Sequence, residues 1–159
     1  MTAGTHGQVG AGPPFQNPPS RPGRDPTLRD SRDVFHLAIP ARDLDAAHRF
    51  YVEQLGCKLA RRYPDRITLD FFGDQLVCHL SDEWDRKPDL YPRHFGVTFR
   101  ERDDFDRLLD LARRRCVPFS RDVQTRFHGL VEEHLTFVLR DPSNNLLEFK
   151  HYRDPRMMY

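Results

Sequence analysis

One order of elements occurs twice in this chain, and that repetition limits its folds more than any other feature. Residues 34–40 (Val-Phe-His-Leu-Ala-Ile-Pro) alternate Phe35, Leu37 and Ile39 with Val34, His36 and Ala38, the period of a strand. Asp43 then caps a predicted helix whose Leu44, Ala47, Phe50, Tyr51 and Leu55 form one apolar stripe and which Gly56 ends. Short strands are expected near 58–63, 67–72 and 75–80, with Pro64-Asp65 and Gly73-Asp74 as turns. At His94 the order starts again. A strand over 94–99 precedes a helix capped by Asp103 or Asp104, carrying Phe105, Leu108, Leu109 and Ala112 and ending at Cys116-Val117-Pro118. Strands near 119–122, 134–139 and 146–152 complete the unit, with 141–145 as the last hairpin turn and an irregular stretch at 126–132. A single βαβββ unit has one sheet face covered by its helix and the other bare. The expected fold is therefore α+β: two βαβββ modules side by side, their bare faces curved into one cupped mixed sheet, with helices on the outer face.

The boundaries follow from composition. Residues 1–31 are rich in Pro and Gly and nearly free of aliphatic side chains, which predicts a disordered tail in which only Phe15 and Leu28 offer local docking. Residues 32–154 form the domain, with module one at 33–81, a polar linker at 82–92 and module two at 93–152; 155–159 are a C-terminal tail. A net charge of +1 from 25 basic and 24 acidic residues points to small molecules, and not to nucleic acid or a membrane surface, as partners. Cys57, Cys78 and Cys116 are odd in number and form no C-x-x-C pair, which fits small core thiols in a reducing compartment. No apolar run approaches a spanning helix or a secretory leader, so a cytoplasmic location is expected.

Chemistry concentrates on the bare faces. With Phe35, Leu37 and Ile39 facing the helix, His36 points into the cup beside the small Ala38; with Phe95, Val97 and Phe99 facing the helix, His94 does the same beside Gly96. In the last strand Glu148 lies on the face opposite Leu147 and Phe149. A carboxylate inside an apolar strand needs a positive partner, and a metal ion would supply one; Arg140 or Lys150 would be the alternative. Two imidazoles and a carboxylate leave half of an octahedral shell open, as in non-haem iron(II) sites that take a bidentate substrate and dioxygen.

Phe35-His-Leu-Ala-Ile-Pro40, the helix with Arg49-Phe-Tyr51 and Leu55-Gly56, Arg93-His-Phe-Gly-Val97 and Asp141-Pro-Ser-Asn-Asn-Leu-Leu-Glu-Phe149 together resemble the vicinal oxygen chelate superfamily, the glyoxalase, bleomycin-resistance and extradiol-dioxygenase group. Asn144 stands where that ending usually has Gly, and Asn tolerates a left-handed turn. Strand alternation lets His36, His94 and Glu148 converge; the resemblance implies that they do, on one divalent metal, Fe(II) first, with Mn(II), Zn(II) or Ni(II) as alternatives. It further implies a small substrate with vicinal oxygens and a homodimer. His79 stands fifteen residues before His94, where extradiol dioxygenases carry a catalytic histidine that binds no metal, but Val138 stands where they carry a tyrosine. Glyoxalase-type members use a fourth protein ligand, a role open to Gln75 or His79. Gln75, Arg126 and His128 are the candidate substrate-pocket residues. A metal-dependent dioxygenase with His79 as acid-base group is thus the first expectation, a four-ligand lyase or isomerase the second, and a non-catalytic drug-binding protein the third.

Overall fold

The computed structural model describes residues 33–159, so the expectations for the Pro/Gly-rich tail, Phe15 and Leu28 included, lie outside the described residues. The chain runs β1 (His36–Ala41), α1 (Leu44–His48) continued by a π-helical turn (Arg49–Gln54), β2 (Lys58–Arg62), β3 (Arg66–Phe71) and β4 (Asp74–Leu80). Then come β5 (Phe95–Phe99), α2 (Arg102–Arg114), β6 (Phe119–Arg126), β7 (His134–Arg140), β8 (Leu146–Tyr152) and a closing 3-10 turn at Pro155–Met158. Both halves are βαβββ, and both form a four-stranded mixed sheet with the same order: β1-β4-β3-β2 and β5-β8-β7-β6. In each, the first strand runs parallel to the last and the remaining pairs are antiparallel.

The local signals largely act as read. Asp43 caps α1, its Oδ1 accepting from the Asp45 and Ala46 amides at 2.7 and 2.9 Å, and Gly56 closes the helix at φ 82°. The widened π turn brings the adjacent Phe50 and Tyr51 both into the core, at 1% and 0% exposure. For α2 the cap differs from expectation: the N-cap is Glu101, whose side chain makes no capping bond. Asp103 and Asp104 sit instead in the first turn, where carboxylates favour the helix dipole and Asp104 pairs with Arg107. β6 runs to Arg126, past the expected 122, because irregularities in its pairing with β7 absorb Asp122 and Val123. Cys57 and Cys78 are buried, and burial pushes both thiols up, Cys57 to about 12; Cys116 is exposed in a left-handed turn after α2 and is not a core residue. Phe35, expected to face the helix, is half exposed because it precedes β1 at the sheet's end.

The disposition of the two sheets matters most for function. Phe71 of β3 lies against Phe95 and Phe149 of module two, with ring centroids 5.7 and 6.4 Å apart, and Phe72 reaches Phe99 and Phe149. Leu69, Phe71 and Leu76 belong to the same buried cluster as Phe105, Phe137 and Phe149. The helix-bearing faces of the two sheets therefore share one core, and the faces carrying His36 and His94 turn away from it.

The 141–145 turn fastens the halves together. Asp141 is buried and accepts from Tyr51 Oη (2.9 Å), Asn145 Nδ2 (2.7 Å) and the Ser143 and Asn145 amides (both 2.8 Å). Ser143 Oγ accepts from the Arg42 amide, and Asn145 Nδ2 donates to the Pro40 carbonyl at 3.0 Å. Asn144 holds φ 63°, as a left-handed Asn can. Burial pushes Asp141 above the usual carboxylate range despite its donors, so each donor counts. Tyr51→Phe removes one and should lower unfolding stability by about 1–3 kcal/mol, read by urea denaturation, with the fold retained.

Candidate metal and substrate site

On the bare face of sheet two, the parallel register sets Gly96 opposite Glu148. A Cβ at residue 96 would fall 1.8 Å from the Glu148 carbonyl oxygen, so glycine lets β5 lie this close to β8. Two residues upstream, the His94 ring reaches over: Nε2 is 3.0 Å from Glu148 Oε2, and Nδ1 donates to the Leu90 carbonyl at 2.8 Å. Glu148 is 6% exposed. Thr136 Oγ1 donates to its Oε1 at 2.9 Å, and Lys150 Nζ lies 2.9 Å from Oε2. Neither His94 nor Lys150 is aligned with Oε2 as a hydrogen bond requires, leaving that buried oxygen with ion-pair contacts only. Burial raises the Glu148 pKa, but the Lys150 ammonium, the Thr136 hydroxyl and His94 outweigh it, and the net value is lowered.

These donors fit a divalent ion. Ligands bound at roughly 2.0–2.2 Å in neighbouring positions stand about 3 Å apart, the spacing of His94 Nε2 and Glu148 Oε2. With Nδ1 donating to a backbone carbonyl, the ring turns its Nε2 to Glu148, the orientation metal-binding histidines adopt. Lys150 meanwhile supplies the positive partner that the buried carboxylate needs.

His36 and Gln75 stand opposite one another on β1 and β4, with Nδ1 2.6 Å from Oε1. This pair occupies the bare face of sheet one, apart from His94 and Glu148. Among the described residues no three His, Cys, Asp or Glu side chains gather closely enough to hold a metal. His79 is exposed, opposite Pro40 and Arg66. Arg126 ends β6 with its guanidinium over Phe127, and His128, on the exposed loop, pairs with Glu133 at 3.2 Å, so neither is drawn to His94 and Glu148.

A cavity of about 940 Å³ opens between β1 and the start of module two, walled by Ala38, Trp84, Tyr91, His94 and Asn145. The Arg42 guanidinium holds the Trp84 ring at 5.3 Å, and the Tyr91 ring meets the His94 imidazole edge-on at 5.7 Å. Sequence reading singles out neither Thr136 nor Leu90. Alternation on β7 puts Thr136 on the Glu148 face and was the available signal; a linker carbonyl leaves no such trace.

Two substitutions test this local account. Gly96→Ala must part β5 from β8 and should cost on the order of 2–4 kcal/mol in urea unfolding. Glu148 has a lowered folded-state pKa, so it contributes stability above its ordinary value near 4.5 that is lost as pH falls through the lowered one. Lys150→Met should therefore flatten the acid limb of the stability profile and reduce stability at pH 7 by about 1–3 kcal/mol.

The sequence profile of the Glyoxalase/Bleomycin resistance protein/Dioxygenase superfamily matches residues 33–149. A glyoxalase/bleomycin resistance protein/dioxygenase from Alicyclobacillus acidocaldarius is 70% identical with a TM-score of 0.81, over 83% of this chain and 100% of that one. A lactoylglutathione lyase from Agrobacterium tumefaciens (16% identity, TM-score 0.59, 82% and 100% covered) has the same fold. So does a genomically encoded fosfomycin resistance protein from Listeria monocytogenes (13%, 0.60, 79% and 98%). No curated protein matches. Two βαβββ modules, matched across most of their length, establish that the chain belongs to the glyoxalase/bleomycin resistance protein/dioxygenase superfamily.

Proposed function

We propose that this chain is a metal-dependent enzyme acting on a small molecule with vicinal oxygens, its donor set divided between two copies of the chain. One observation carries this reading. Each bare face holds half of a donor set, His36 with Gln75 on one and His94 with Glu148 on the other, and each half lies on or beside an edge strand, β1 or β5, that among the described residues has a neighbour on one side only. A two-fold dimer with β1 of one copy beside β5 of the other would close two equal cups.

The register favours four protein donors: His36, Gln75, His94 and Glu148. Gln75 is level with His36, whereas His79 lies four residues farther along β4, about 13 Å away at strand rise. This supports a glyoxalase-like lyase or isomerase using Zn(II) or Ni(II) over an Fe(II) or Mn(II) dioxygenase with His79 beside bound dioxygen. When bound, the ion would act as a Lewis acid on the substrate oxygens. The chain's own part is to hold donors in place: Thr136 occupies Glu148 Oε1 and so leaves Oε2 for the site. The cavity beside His94, with Trp84 and Tyr91 in its wall, suits the remainder of the substrate. The buried free thiols of Cys57 and Cys78 suit a reducing cytoplasm.

Metal analysis should find about one ion per chain, reduced at least tenfold in His36→Ala, His94→Ala and Glu148→Ala. Absence of metal from the wild type would leave the drug-binding reading. Conversion of a thiol hemiacetal without oxygen supports the lyase; oxygen uptake with catechols, lost in His79→Ala, supports the dioxygenase. Mixing His36→Ala and Glu148→Ala chains tests the division directly. Heterodimers have one intact cup, so about a quarter of wild-type sites should return, while a site within one chain returns none.

A further inference from the structure

The linker reaches module two over a small apolar cluster of its own. Leu90, 5% exposed, packs with Val138 and Leu146, apart from the main core. Both partners belong to the bare face of sheet two: Val138 is opposite Glu148 in the β7–β8 register, and Leu146 precedes Glu148 by two residues on the same strand. Leu90 is the one buried residue among 82–93, and Tyr91, Pro92 and Arg93 between it and His94 are exposed. Its side chain seats this end of the linker on the sheet. Its carbonyl accepts the His94 Nδ1 proton, and Nε2 then faces Glu148 Oε2 at 3.0 Å. Freed from that carbonyl, the ring could carry its proton on Nε2, which blocks that atom as a donor.

We propose that Leu90 is the positioning residue of His94: seated on Val138 and Leu146, it holds its carbonyl where the imidazole is kept as the Nδ1–H tautomer with Nε2 turned to Glu148. For its use in metal binding this rests on the preceding reading; for the tautomer it does not. Val138 thereby gains a role, as the seat of the linker.

The test uses the full chain and its Leu90→Ala, Leu90→Ile and Val138→Ala variants. The His94 ring nitrogen shifts, assigned by their loss in His94→Gln, are read by ¹⁵N NMR at pH 8 without metal. Zn(II) affinity by calorimetry and the thermal midpoint follow. Leu90→Ala and Val138→Ala should spread His94 over both tautomers and weaken Zn(II) binding about 10–100-fold, with Leu90→Ile retaining wild-type values for both. A Leu90→Ala protein with a lowered midpoint but an unchanged tautomer and Zn(II) affinity would overturn the proposal, since packing alone would then explain Leu90. Should Leu90→Ala fail to fold, Val138→Ala decides by the same two readouts. If the wild type binds no Zn(II) while Leu90→Ala still releases the tautomer, the positioning role stands and the metal reading falls.

Discussion

Glu148 puts a negative charge where the chain has little water to solvate it, and much of module two is arranged around that charge. The carboxylate cannot be moved to solvent, because Leu147 and Phe149 on either side are fully buried and fix the strand. It is accommodated by three neighbours from three places: Thr136 on β7, Lys150 on its own strand and His94 ahead of β5. Each approach depends on backbone geometry more than on side-chain choice. Gly96 lets β5 lie close enough for His94 to reach, and the 141–145 turn launches β8 at the right level while it is bonded to Tyr51, Arg42 and Pro40 of module one. The motif Asp141-Pro-Ser-Asn-Asn145 thus serves the site indirectly, as the joint between modules.

The element order was legible in the sequence because its signals are local. Alternation in β1 from Leu37 on, the Asp43 cap, Gly56 and the stripe of α2 each act within a few residues, and each took the form read from it. Within the candidate site, the pairing of His94 with Glu148 was accessible for the same reason, since strand faces are set by a period of two. Where the bare faces point was not accessible. Alternation says that Phe71 and Phe149 face inward, but not that they face each other across one core. Among the described residues His36 is not gathered with His94 and Glu148. The Asp103 and Asp104 cap failed on a similar ambiguity: an acidic residue favours both the cap and the first turn, and sequence does not say which it takes.

A division of donors between two faces also has a consequence for folding. Gathering two imidazoles, an amide and a carboxylate in one core without a cation would leave acceptors facing acceptors in a medium that screens them poorly. In this chain each half has local partners, although Glu148 Oε2 has ion-pair contacts only. His36 donates to Gln75, and Glu148 has Lys150 and Thr136. The two modules, which share one core, can therefore fold together before any ion is bound, unlike small domains whose metal supplies their folding energy. On the proposed reading, the full donor set assembles only when a second copy docks. The strong electrostatic demand of a metal site then falls on association, where Lys150 can yield Glu148 to a better cation, and the hydrophobic core that both modules share is spared it.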